Sequence, residues 1–134
     1  MRFARAYLYF VALMGLAFGV WYLVAPAGMT DPTGFGPLAP NALTDVRATY
    51  GGFQIGLGLF SLWAAGDPSR VRTGLLLQLL TIGAIGSCRL VGFAIDGPPN
   101  GFLVSAIATE VTLTAVTLIA LLRLPHEASA GQLA

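Results

Sequence analysis

The chain has 134 residues, of which 56% are hydrophobic and 10% charged, far below the roughly one quarter charged of an ordinary soluble domain. That composition excludes a typical soluble globular protein, and 17 glycines without a collagen period suit helices that approach closely in a membrane. Net charge is +1, carried by seven arginines and no lysine, and without a polybasic run nucleic acid is a poor partner.

Clusters of Gly, Pro, Asp and Asn divide the chain into four apolar segments. The expected fold is all-α: a four-transmembrane-helix bundle forming a single integral membrane domain over 1–134. Helices are expected over 6–25, 42–65, 68–95 and 101–124, with a Pro/Gly-rich outer loop over 26–41. The first segment is long for a signal peptide's apolar region, and Trp21 and Tyr22 suit an interfacial belt, so a retained helix is expected. The loop that follows carries Pro26, Pro32, Pro37 and Pro40 with Gly28, Gly34 and Gly36, and reads as irregular. Within it Met29, Phe35 and Leu38 can cover the end of the bundle.

Asn41 or Thr44 is a candidate N-cap for the second helix, and Gly66 a candidate glycine just past its end. Asp67 and Pro68 then read as the cap and first residue of the third. The third helix stops at the turn signal Asp96-Gly97-Pro98-Pro99-Asn100-Gly101, and the fourth stops at Pro125. The tail from His126 to Ala134 has no pattern. Arg2, Arg5, Arg70, Arg72 and Arg123 all fall at segment ends on one side, which predicts cytoplasmic termini. The expected location is the plasma membrane.

Arg47, Arg89 and Glu110 lie inside apolar segments, where an uncompensated charge costs about 2.5–3.5 kcal/mol. Their depths are similar, so they are expected to face the bundle and find partners. Arg47, Tyr50, Gly51, Gln54, Gly58 and Ser61 recur at helical spacing in the second segment. Gln78, Ile82, Ile85 and Arg89 form such a stripe in the third, and Ala106, Glu110, Thr114 and Thr117 in the fourth. Gly51, Gly52, Gly56 and Gly58 read as helix-packing positions, with Ala48, Gly52 and Gly56 in a small-xxx-small row.

The run from Asn41 to Gly58, with Arg47, Tyr50, Gly51 and Gly52 at its centre, precedes Arg89, Asp96-Gly97-Pro98 and Glu110. Together these residues resemble the domain-of-unknown-function 4345 family of small bacterial four-helix membrane proteins. The resemblance implies the architecture and draws attention to these positions, and it implies no substrate or reaction.

One cysteine, Cys88, and one histidine, His126, supply neither a disulfide framework nor a metal cluster, and no catalytic constellation is found. No cofactor and no enzymatic activity are expected. Arg47, Tyr50, Gln54, Arg89 and Glu110 form either a structural charge network or a ligand site. The functional expectation is a non-enzymatic bundle that binds a lipid-like molecule or a partner membrane protein, with homo-oligomerisation open. The alternative is a small proton-coupled transporter using Glu110.

Overall fold

The computed structural model describes residues 1–125, and all regular structure among them is helical. The tail beginning at His126 lies outside the described residues. Helix α1 spans Arg2–Val24. It starts earlier than expected because Arg5 is used in packing: its Nε donates to the carbonyl of Ala65, 2.8 Å away.

The segment expected to be an irregular loop instead folds first into α2 (Pro26–Thr30) and then a 3₁₀ turn (Asp31–Thr33). Pro26 and Pro32 occupy first turns, where the missing N–H would have had no intrahelical partner. Met29 and Thr30 are buried, Leu38 is half-buried and Phe35 is exposed.

Helix α3 (Pro40–Val46), a π-helical turn (Arg47–Gly52) and α4 (Phe53–Gly66) follow without a break in the helical backbone. The N-cap is Ala39, with Pro40 in the first turn, rather than Asn41 or Thr44. A proline pre-set at helical φ supplies the start, and the Thr44 hydroxyl donates back to the Pro40 carbonyl. Gly66 is the last helical residue and not a left-handed stop, because the chain leaves the helix through extended Asp67, at φ −133°.

Asp67 caps the next turn as expected, accepting from the Ser69 amide at 2.9 Å and the Ser69 hydroxyl at 2.7 Å. Those bonds, with a further one from Arg70, hold its carboxyl down at about 2. The 3₁₀ turn Pro68–Arg70 feeds α5 (Val71–Asp96). Gly97, at φ 102°, then reverses the chain, and the Asn100 side chain caps α6 (Gly101–Leu122) by accepting from the Leu103 amide. Three stretches, Arg2–Val24, Pro68–Asp96 and Gly101–Leu122, are long and apolar enough to cross a membrane.

The buried core gathers at the end carrying Arg5. Leu8 of α1, Ala64 and Ala65 of α4, Val71 and Leu75 of α5 and Ala120 of α6 meet there. Towards the other end the helices hold together as two pairs by different means. Helices α1 and α4 cross through glycines: a Cβ on Gly19 would stand 2.8 Å from the Ile55 amide nitrogen and 2.9 Å from the Gly51 carbonyl. One on Gly58 would stand 3.0 Å from the Ala12 carbonyl. Gly52 and Gly56 have open space at the same test, so the row built on them lies away from α1. The wider π turn shifts the helical phase between Arg47 and Gly52, which a uniform 3.6-residue period does not anticipate.

Gly19→Ala is expected to cost about 1–3 kcal/mol, because backbone rather than a flexible side chain must give way. Gly56→Ala is expected to be neutral or to stabilise by up to about 1 kcal/mol through helix propensity. Denaturation in mixed micelles checks the pair; equal effects would contradict a tight α1–α4 crossing.

Candidate functional site

Arg89 on α5 and Glu110 on α6 face each other across the α5–α6 hairpin. Gly86, one turn before Arg89, is buried against α6: a Cβ there would lie 3.4 Å from the Glu110 Cβ, in ordinary contact. The guanidinium takes the carboxylate in a fork. Its Nε donates to Oε2 at 3.0 Å and Oε1 at 3.1 Å, and its Nη2 to Oε1 at 2.8 Å. Side-chain exposure is 27% for Arg89 and 14% for Glu110, so the pair is largely withdrawn from the surface. Charge-assisted forks of this kind are among the strongest side-chain contacts and fix mutual orientation.

Arg47 does not join them. Its Nε donates to the Leu23 carbonyl at 3.0 Å, at the last turn of α1, where carbonyls lack helical partners. Arg5 does the same at the other end, donating to Ala65 in the last turn of α4. Each of these antiparallel helices therefore sends an arginine from its own first turns to the carbonyl end of the other, which also suits the two helix dipoles.

Tyr50 stacks on Tyr22 with ring centroids 5.4 Å apart. Gln54 is half-buried and its side chain makes no hydrogen bond among the described residues. Of the five polar site candidates, the structure thus brings Arg89 and Glu110 into direct contact and stacks Tyr50 on Tyr22. It gives Arg47 to a helix end. Gly51 and Gly58 lie in the α1–α4 crossing, whereas Gly52 and Gly56 do not.

A cleft of about 380 Å³ opens beside the ion pair. Arg89, Phe93 and Asp96 line it from α5, Pro98 and Asn100 from the turn, and Leu103 from α6. Arg47, Tyr50 and Gln54 do not line it. Asp96, which the sequence offers both as a turn residue and as a possible acidic partner for the two arginines, lies on the same helical face as Arg89, seven residues on.

Two buried hydrogen-bonded links tie the helices nearer the Arg5 end. The Tyr7 hydroxyl lies 2.7 Å from the Thr117 hydroxyl and donates to the Leu113 carbonyl at 3.0 Å. Gln78 donates to Ser61 at 2.6 Å, and Ser61 donates to the Leu57 carbonyl. These groups satisfy one another, as buried polar groups must.

A family model described as Domain of unknown function (DUF4345) matches residues 3–121. The chain belongs to this family. No curated protein and no solved structure matches it. The match contains the π turn, the ion pair and the cleft, so every feature of the DUF4345 site lies within the family's own span. The family assignment and the apolar helices together describe a membrane protein of unknown function.

Removing one member of the Arg89–Glu110 fork strands the other charge. Arg89→Ala and Glu110→Ala are each expected to cost about 3 kcal/mol, and the double variant clearly less than their sum. A double-mutant cycle in micelles measures the coupling; strict additivity would mean the fork contributes nothing.

Proposed function

We propose that this DUF4345 protein is a non-enzymatic, multi-pass protein of the bacterial inner membrane that holds a lipid-like molecule in its outer half. Four spans are proposed, the helical run from Pro40 to Gly66 being the second, with both termini cytoplasmic. The support for the second span is its unbroken helical backbone, which at about 1.5 Å per residue is long enough to cross. The support for orientation is the placement of Arg2, Arg5, Arg70, Arg72 and Arg123 at the end where the core is closed.

The observation that carries the functional reading is the divided use of Arg89. Its Nε and Nη2 are spent on Glu110, while Nη1 donates to no described acceptor and the residue lines the cleft. A guanidinium already fixed by its own carboxylate is a preorganised donor, and the apolar walls at Phe93 and Leu103 suit the rest of an amphiphile. A carrier that shuttles protons on Glu110 fits less well, because both carboxylate oxygens are occupied and protonation would break the fork. Docking of a partner membrane protein is the second form of the binding reading, and the many large apolar side chains left exposed favour it only in a general way.

For topology, single cysteines are placed in a Cys88→Ser background. Thr33→Cys is expected to react with an impermeant thiol reagent added from outside, and Ser69→Cys is not; the reverse pattern overturns the orientation. For binding, native mass spectrometry from mild detergent is expected to show a lipid-sized adduct. Arg89→Lys keeps a charge for Glu110 but loses the fork and Nη1, and is expected to reduce that adduct severalfold while the protein stays folded. Equal adduct in both proteins, or none in either, removes the reading.

A further inference from the structure

We infer that the cleft selects a zwitterionic amphiphile, one carrying a primary amine outside a phosphate, rather than a purely anionic one. The inference rests on the proposed binding role and names its ligand class. Its starting point is charge. Arg89 is neutralised by Glu110 in the fork, and Arg47, which would have given the site a positive excess, is committed to the Leu23 carbonyl. The remaining charge in the cleft wall is Asp96. The cleft and its ion pair therefore carry a negative excess, which disfavours a ligand that brings only negative charge.

Asp96 is also placed against its own helix. It is the last residue of α5, where carbonyl ends concentrate partial negative charge, and α5 has no basic residue in that turn. Among the described residues it forms no ion pair, and its side chain makes no hydrogen bond. A cation arriving there gains from both the carboxylate and the helix end. Seven residues earlier on the same face, about 10 Å away by helical rise, Arg89 offers Nη1 to an anionic oxygen. The order along the helix is carboxylate at the outer end, apolar Phe93 between, guanidinium deeper. A phosphoethanolamine lipid has the matching order, amine outermost and phosphate beneath it, with acyl chains continuing inward.

The test uses the full chain in mild detergent with equimolar phosphatidylethanolamine, phosphatidylglycerol and diacylglycerol, read by native mass spectrometry. Phosphatidylethanolamine is expected to exceed phosphatidylglycerol by about fivefold, the worth of one charge contact near a membrane surface, with diacylglycerol weakest. Asp96→Asn, on an exposed helix end, is expected to bring the two phospholipids to parity. Leu103→Trp, or the milder Leu103→Phe if the larger ring disturbs folding, is expected to reduce all three by filling the cleft. Wild-type protein that binds phosphatidylglycerol as well as phosphatidylethanolamine, or Asp96→Asn that keeps the preference, overturns the amine assignment and leaves the cleft as a lipid site. Folded Leu103 variants that bind every lipid as wild type does would remove the cleft reading itself.

Discussion

The close crossing of α1 and α4 is the constraint on which the rest depends. Gly19 lies so near Gly51 and Ile55 that the two backbones touch, and Gly58 repeats this against Ala12. In lipid such contact replaces the hydrophobic drive that is missing between apolar helices, since tails are as apolar as leucine. Arg5 and Arg47 then fix the register, each seated on the other helix's terminal carbonyls. With this pair set, Tyr7 can reach α6 and Ser61 can reach α5, so the second pair is attached through satisfied polar bonds as well as through the apolar core at the Arg5 end.

The α5–α6 pair obeys a different physics. Its far half is joined by charge, with the Glu110 stem lying against Gly86 of α5. A fork between two fixed helices is directional in a way that leucine contacts are not, and it sets which faces look at each other. The same choice leaves space. The Arg89 end leaves a cleft framed by the hairpin turn, and a second cavity of about 450 Å³ lies between α1 and α6 beside Tyr7, Met14 and Leu113.

Much of this was legible in the sequence, for identifiable reasons. The all-helical reading, the run of apolar segments and the turns at Asp67 and at Gly97 through Asn100 follow from hydropathy and from residues whose turn chemistry is strong. Burial of Arg89 against Glu110 follows from the cost of lone charge in lipid. Arg47 obeyed the same cost but paired with a helix end, an acceptor that sequence does not mark as such. The π turn was invisible because a hydropathy period assumes one pitch; Gly51 and Gly58, which share a stripe at helical spacing, do lie at the crossing, whereas the Gly52–Gly56 row does not. Gly15 and Gly19 form a GxxxG pair on the first helix that pattern alone could have found. The two short helical turns at Pro26 and Asp31 were hidden by proline, which forbids helix interiors and yet favours first turns.

The charge count shows why position outweighs inventory. Taken from sequence, two intramembrane arginines against one glutamate suggest an electropositive site. In the folded chain one arginine is withdrawn to a carbonyl end and a turn aspartate enters the cleft wall, so the sign of the excess reverses without any change in composition. The π turn takes part in that reversal, since Arg47 is its first residue and reaches Leu23 from there. π-helical turns are rare and occur often at functional positions. Here the arginine strengthens the α1–α4 pair, and the charge beside the cleft is set by Arg89, Glu110 and Asp96.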